Sequence, residues 1–86
     1  MDYLLPACVN QSNAMQVQDE GLAIVRQSQR VDCSALVDFD SSALAVLIAW
    51  QRELTFFQQN LYLIKPPEKL KVLARVYGIA NLLGLE

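Results

Sequence analysis

The chain has no histidine among its 86 residues. Histidine is the side chain that most often acts as a general base near neutral pH, and it is also the commonest metal ligand in proteins. The sequence carries no other metal-binding motif. We therefore expect neither a metal ion nor another cofactor, and acid–base catalysis lacks its usual residue.

Cysteine is scarce as well, with Cys8 and Cys33 as the two examples. They lack the CxxC spacing of redox and zinc motifs, and both lie in apolar surroundings, which predicts reduced core residues. A nucleophilic cysteine needs a base or a cationic setting that lowers its pKa. Cys33 instead follows Asp32, whose negative charge has the opposite effect. We predict that the protein is not an enzyme.

Long basic and apolar runs are also missing. Seven Lys and Arg residues against nine Asp and Glu residues give a net charge of −2, and without a basic cluster we expect no nucleic acid partner. The longest apolar run, Ala43–Trp50, is far shorter than the roughly 20 residues that cross a bilayer. The segment Met1–Cys8 has neither the cationic nor the apolar part of a signal peptide. These features predict a cytoplasmic protein with no direct membrane insertion.

The chain does contain a regular alternation of apolar strands and helical patterns. Hydrophobic residues form 53% of it, and residues 1–86 suffice for one domain with a modest core. Strands separated by helices imply parallel pairing with right-handed crossovers. The sequence therefore predicts an α/β fold, with a small, mostly parallel sheet and crossover helices in the order β-α-β-α-β-α. The predicted strands are Tyr3–Val9, Val31–Ser34 and Leu61–Lys65; the predicted helices are Ala14–Val25, Ser41–Phe56 and one from Pro66-Pro67-Glu68 to Gly78; Ala35–Phe39 is predicted as a loop.

The second helix has an unusually wide apolar face. Its larger apolar residues cover about 200° of the helix circumference, more than the roughly 100° of an ordinary surface helix, and we expect Trp50 to lie in the core. Phe56 and Phe57 are harder to bury together, so one of them is a candidate for an interface. In the last helix we expect Tyr77 on the apolar stripe, and Leu82 should pack in the tail. The other side of the second helix is short-chained, which suits either close approach of a partner or plain solvent: Ser41, Ser42, Ala45, Ala49, Arg52 and Glu53.

The start of the second helix is the candidate functional site. Helix N-termini carry unpaired N–H groups and a partial positive charge. Two interpretations stay open: Asp40 or Ser41 serves only as a helix cap, or Ser41 and Ser42 form a docking point. Phosphate binding by the amides of Ser41 and Ser42 is disfavoured because no glycine-rich loop or following lysine accompanies them. A catalytic carboxylate pair, Asp38 and Asp40, has no polar partner nearby and is better explained as a solvated acidic loop.

The same stretch resembles the STAS domain family. The family motif is an aspartate, a serine or threonine, a small residue, a glycine and a leucine at the opening of the second helix, and Asp40-Ser41-Ser42-Ala43-Leu44 matches it except at Ala43. Within the family the chain is most similar to the small stand-alone, MlaB-like subunit of the Mla phospholipid-transport ABC complex. Leu5-Pro6 in the first strand, the spacing from Pro6 to Asp40 and the segment Lys65–Ile79 carry that likeness. The N-terminus lacks room for the family's usual first strand.

The resemblance implies a function as a binding subunit. It implies a STAS subunit that binds the cytoplasmic ATPase of an intermembrane phospholipid-transport ABC system and stabilises or regulates it. The same resemblance implies that this partner holds the protein at the inner face of the inner membrane. The alternative is an anti-sigma-factor antagonist that is switched by phosphorylation of Ser41. A homodimer also stays open, because an exposed sheet edge would attract a second copy or a partner. The partner-binding or regulatory residues expected from these arguments are Asp40, Ser41, Ser42, Ala45, Ala49 and Arg52.

Overall fold

The computed structural model describes residues 2–85, and within them the chain forms five short strands and three helices. Two strands precede the first helix, two lie between the first and second helices, and one lies between the second and third helices. The elements are β1 (Tyr3–Leu4), β2 (Cys8–Val9), α1 (Ala14–Ser28), β3 (Arg30–Asp32), β4 (Asp38–Phe39), α2 (Ser41–Phe56), β5 (Tyr62–Ile64) and α3 (Glu68–Val76).

All of the strand pairs are parallel, and they form two small sheets. β3 lies between β1 and β5 in a three-stranded sheet, with Val31 paired to Tyr3 on one side and to Leu63 on the other. β2 and β4 form a separate two-stranded sheet, in which Cys8 pairs with Asp38 and Val9 pairs with Phe39. Helices α1 and α2 connect the parallel strands, so the predicted α/β class is confirmed.

Two sequence predictions about strands were wrong. The predicted single strand Tyr3–Val9 is divided around Pro6, since proline has no backbone N–H to donate to a ladder, and its halves join different sheets. The predicted loop Ala35–Phe39 contains β4. There the carbonyl oxygen of Ala7 accepts hydrogen bonds from the N–H groups of Val37 and Asp38, at 2.8 and 2.9 Å. That pairing joins segments that are distant in sequence, and no local pattern indicates it.

The helices follow the predictions more closely. The bounds of α2 are confirmed at both ends. α1 continues past the predicted end at Val25 to Ser28, because Gln29 takes a left-handed conformation (φ 57°) and its N–H donates to the carbonyl oxygen of Val25 at 2.8 Å. This cap stops the helix without the glycine that usually marks such an end.

Trp50 is the centre of the contact between α1 and α2. Its side chain is fully buried, as predicted, and its indole Nε1–H donates to the carbonyl oxygen of Gln18 at 3.1 Å. The ring packs edge-to-face against Tyr3, with centroids 5.4 Å apart. The same ring lies against Gly21, where an added Cβ would be only 2.6 Å from the ring atom Cζ2. Gly21 therefore permits the two helices to approach closely.

The remaining burial predictions were partly right. Cys33 is buried and Cys8 is only half-buried, and both thiols are free. In the tail, Leu83 and Leu85 pack into the core, whereas the prediction for Leu82 was wrong, since that residue is exposed. Tyr77 was also wrongly assigned to the buried stripe of α3. It is exposed, because only the Leu70 and Ala74 side of this helix faces the core.

Candidate protein-docking site

The sheet of β2 and β4 positions the start of α2. β4 ends at Phe39, which is buried, and the next residue, Asp40, donates its backbone N–H to the carbonyl oxygen of Val9 at 3.3 Å. The chain then turns directly into α2 at Ser41. Because β2 holds β4 on one side of this turn, the first residues of α2 have a defined position on the surface.

Asp40 is the residue that caps the helix. Its backbone is extended, with φ −124° and ψ −165°, and its Oδ1 atom accepts a hydrogen bond from the N–H of Ser42 at 2.8 Å. Its carbonyl oxygen accepts from the N–H of Ala43 at 3.1 Å. A cap of this kind typically contributes about 1 kcal/mol to stability. Capping is therefore assigned to Asp40, and the serine that follows is not needed for it.

Ser41 is the first residue of α2 and is exposed. No hydrogen bond within residues 2–85 involves its hydroxyl group. A serine hydroxyl can donate one hydrogen bond and accept two, so this group can bind another molecule without giving up an internal partner. Of the two serines in the predicted motif, Ser41 is exposed and Ser42 is half-buried.

Two apolar grooves meet at Ser41. The first has a volume of about 230 Å³ and lies between α2 and the end of α3. The second has a volume of about 460 Å³ and lies between the start of α2 and the side of α3. Ser41 and Tyr77 line both grooves. We call this surface the docking face; its principal lining residues are Ser41, Ala45 and Ile48 on α2, with Val72, Val76 and Tyr77 on and after α3.

Charge on the docking face is limited to its margin. Asp40 and Lys69 line the larger groove, and the ammonium group of Lys69 lies 5.6 Å from the centroid of the Phe39 ring, within reach of a cation–π interaction. The apolar residues between them are well exposed: Val76 by 74% and Tyr77 by 58%. The face is thus mainly hydrophobic, with one carboxylate and one ammonium group at its edge.

The other predicted site residues lie elsewhere on α2. Ser42 and Ala49 are half-buried, and they share a helix face with Glu53, which is bonded to Arg26 of α1. That face therefore turns toward α1. Arg52 is exposed and lies on the same side of α2 as Ser41 and Ala45, but it does not line either groove. The structure brings together Asp40, Ser41 and Ala45 of the predicted set.

Sequence reasoning missed the contribution of α3. Val72 and Val76 are apolar residues outside the face that carries Leu70 and Ala74, and that displacement was the available signal for a second apolar surface. Nothing in the sequence indicated that this surface would lie beside Ser41, because residues of α2 and α3 line the same grooves only in the folded chain.

The buried Cys33 is not an activated nucleophile. Burial, with the charge of Asp32 as a smaller cause, raises the pKa of the Cys33 thiol to about 12, so it is neutral and inaccessible. The carboxyl group of Asp32 itself has a lowered pKa because the hydroxyl and the backbone N–H of Ser34 donate to it, the latter at 2.9 Å. Among residues 2–85, no group of three or more acidic, cysteine or histidine side chains is placed to bind a metal ion.

Ala43, the departure from the motif's glycine, causes no strain. It lies inside α2, it is buried, and it is not one of the residues with a positive φ angle. Glycine is required only where the backbone is left-handed or where a Cβ would clash. The motif is therefore structurally intact in this chain.

The fold and the site together define a small α/β domain with an exposed, capped helix start beside an apolar surface. Such a surface is suited to binding another protein.

The family model described as "Mlab, STAS domain" matches residues 8–84, and the chain belongs to this STAS family. The predicted MlaB-like resemblance is confirmed, and the membership supports a non-catalytic STAS-type protein. A comparison with curated proteins finds no match. None of the helices within residues 2–85 has the length and hydrophobicity needed to cross a membrane.

Proposed function

We propose that this protein is a non-catalytic STAS subunit that binds the cytoplasmic ATPase of an intermembrane phospholipid-transport ABC system through the docking face. The observation that carries the proposal is the unpaired hydroxyl of Ser41 at the junction of two apolar grooves. The MlaB-like family membership directs it toward this class of partner. Binding stabilises or regulates the ATPase.

The chemistry of the docking face supports a protein partner. Stable interfaces have an apolar, often aromatic centre with polar groups around it. Tyr77 supplies the aromatic ring, Val72 and Val76 supply apolar area, and Ser41 supplies an unpaired hydrogen-bonding group. Asp40 and Lys69 at the margin can pair with a partner's charges and so determine its orientation.

Co-expression and co-purification with the transport ATPase of such an ABC system from the same host test the proposal. Ala45→Arg places a long cation in the smaller groove, and Ser41→Arg places one at the junction of both grooves. Each change should reduce the recovered complex by at least about tenfold, the effect of roughly 1.4 kcal/mol of lost binding. Ala23→Arg is the matched control, because Ala23 is an exposed alanine on α1.

Binding by the control and loss by both docking-face variants would support the proposal. Full recovery of the complex with Ser41→Arg and Ala45→Arg, in folded protein, would place the contact elsewhere. Equal losses in all three variants would indicate general destabilisation.

A partner-switching antagonist of an anti-sigma factor is the second candidate function. The exposed, unpaired hydroxyl of Ser41 favours it, since a kinase needs an accessible group. A phosphate there would add about −1.5 to −2 charge at a helix N-terminus that favours it, but next to the carboxylate of Asp40. Intact-mass measurement of protein from its native host decides the matter: phosphate on Ser41 supports the switch, and unmodified protein under all growth conditions contradicts it.

A further inference from the structure

A second exposed surface lies at the opposite end of α2 from Ser41, about 22 Å away by the rise of an α-helix. Phe56, the last residue of α2, is 82% exposed, and Phe57 is 56% exposed. Their rings pack edge-to-face, with centroids 5.3 Å apart. Adjacent phenylalanines at such exposure are unusual for a surface that only meets water, because burying each ring would contribute about 1.5–3 kcal/mol.

A groove lies next to this aromatic pair. It has a volume of about 400 Å³ and is lined by Arg26, Phe57 and Gln59. An apolar cavity of about 150 Å³ already accommodates a benzene ring, so the groove is large enough for a phenylalanine side chain. The surface thus has a projecting ring, Phe56, and a cavity that could receive one, side by side. We call the set Arg26, Glu53, Phe56, Phe57 and Gln59 the Phe56 patch.

The charges of the patch are equal and opposite. Both Nε and Nη2 of Arg26 donate to the Oε1 atom of Glu53. Within residues 2–85, no hydrogen bond uses Nη1 of Arg26 or Oε2 of Glu53. The Nη1 amino group of Arg26 and the Oε2 atom of Glu53 therefore remain as an unpaired donor group and an unpaired acceptor on the same surface. An acidic partner would pair only with Arg26, and a basic partner would pair only with Glu53. A second copy related by a two-fold axis presents both a carboxylate and a guanidinium, so it can pair with both groups.

We propose that the Phe56 patch is the interface of a symmetric homodimer of this chain. In a two-fold interface the same surface is used by both copies, so a projection and an adjacent cavity satisfy each other twice. Phe56 of each copy enters the groove of the other, where it contacts Phe57 and the guanidinium group of Arg26. The guanidinium Nη1 of each copy donates to the Glu53 Oε2 atom of the other.

The exposed area of the Phe56 patch limits the expected affinity of the homodimer. The two rings expose roughly 300 Å² per copy, so their burial in a dimer supplies about half of the roughly 1,200 Å² at the lower limit of stable interfaces. The dimer is therefore weak and reversible, with a dissociation constant between about 10 and 500 µM. Tethering of several copies on one assembly would raise the local concentration into that range.

Sedimentation velocity of the purified chain from about 5 to 500 µM tests the proposal. The wild-type mass should rise with concentration from 9.7 kDa toward twice that value. Phe56→Ser should weaken dimerisation at least about tenfold. Met15→Ser is the matched control, because Met15 is a 72% exposed apolar residue on α1, outside the patch, and this variant should dimerise as the wild type does.

Charge exchange provides a second, independent test. Arg26→Glu alone and Glu53→Arg alone should each weaken the dimer, and the double exchange should restore it because both the internal pair and the intermolecular pair are re-formed. Circular dichroism establishes that each variant is folded. Failure of the double exchange to restore dimerisation contradicts the assigned geometry.

Two further outcomes overturn the proposal. A wild-type chain that remains monomeric at the highest concentration has no such interface. If Phe56→Ser reduces co-purification with the ATPase while the mass distribution of the isolated chain is unchanged, the patch binds the ATPase and not a second copy of this chain. Ser41→Arg should not affect dimerisation, so failure of the docking proposal and failure of the dimer proposal are distinguishable.

Discussion

At the scale of single residues, Gly21 shows how one position is constrained by a distant one. Considered locally, a glycine weakens helix α1 by about 1 kcal/mol relative to alanine. In the folded protein the Trp50 ring occupies the space where a Cβ on residue 21 would lie. Trp50 is fully buried and hydrogen-bonded to Gln18, so its ring has little freedom to move away.

We predict that Gly21→Ala lowers the free energy of unfolding by about 1–3 kcal/mol. Crowding against the Trp50 ring outweighs the gain in helix propensity, because overpacking a buried site typically costs that much. Urea denaturation measures the change. Ala23→Gly, at an exposed position of the same helix, gives the size of the propensity effect alone. A stabilised Gly21→Ala variant would show that the ring can shift.

Helix α2 is the element on which the docking face depends. Its start is determined by Asp40, and its wide apolar face is confirmed by the burial of Trp50 and the residues around it. The local pattern was strong enough to predict both bounds. By contrast β4, which precedes this helix, is two residues long and was missed, since its pairing with β2 leaves no periodic signal.

We predict that Asp40→Ala destabilises the protein by about 1 kcal/mol, through loss of the bond from the N–H of Ser42. The midpoint of urea denaturation should fall accordingly. Asp38→Ala removes the same charge from the exposed end of the neighbouring strand and should change stability by less than about 0.5 kcal/mol. Similar losses in both variants would mean that charge, not capping, is the cause.

At the scale of the whole molecule, the reactivity of the Cys33 thiol measures global unfolding. It follows the central strand β3, its side chain is completely buried, and its N–H donates to the carbonyl oxygen of Ile64 at 2.8 Å. Because Cys33 is fully buried and its backbone is bonded to β5, a small local movement does not expose its thiol. Its thiol is therefore reachable only after the sheet separates.

In a Cys8→Ser variant, we expect the thiol of Cys33 to resist a soluble thiol reagent at pH 8 and to react at the rate of unfolding as urea is added. Burial raises its pKa to about 12 from a model-peptide value of 9.0, so the unfolded thiol ionises at a lower pH than the folded one. The Cys33 contribution to stability is therefore fully present below pH 9 and falls as the pH rises from 9 toward 12. Rapid labelling of the folded variant at pH 8 would contradict this burial.

The sequence by itself determined the α/β class, the order of the three helices, the bounds of α2 and the family motif at Asp40-Ser41-Ser42. These features depend on residues that are close along the chain, through capping and apolar periodicity. Only the tertiary structure decided that Tyr77 and Val76 lie beside Ser41, that Ser42 and Ala49 turn toward α1, and that Phe56 projects next to a groove. Those arrangements arise when elements that are distant in sequence pack together. The apolar pattern of one helix does not determine which part of that helix another element will cover.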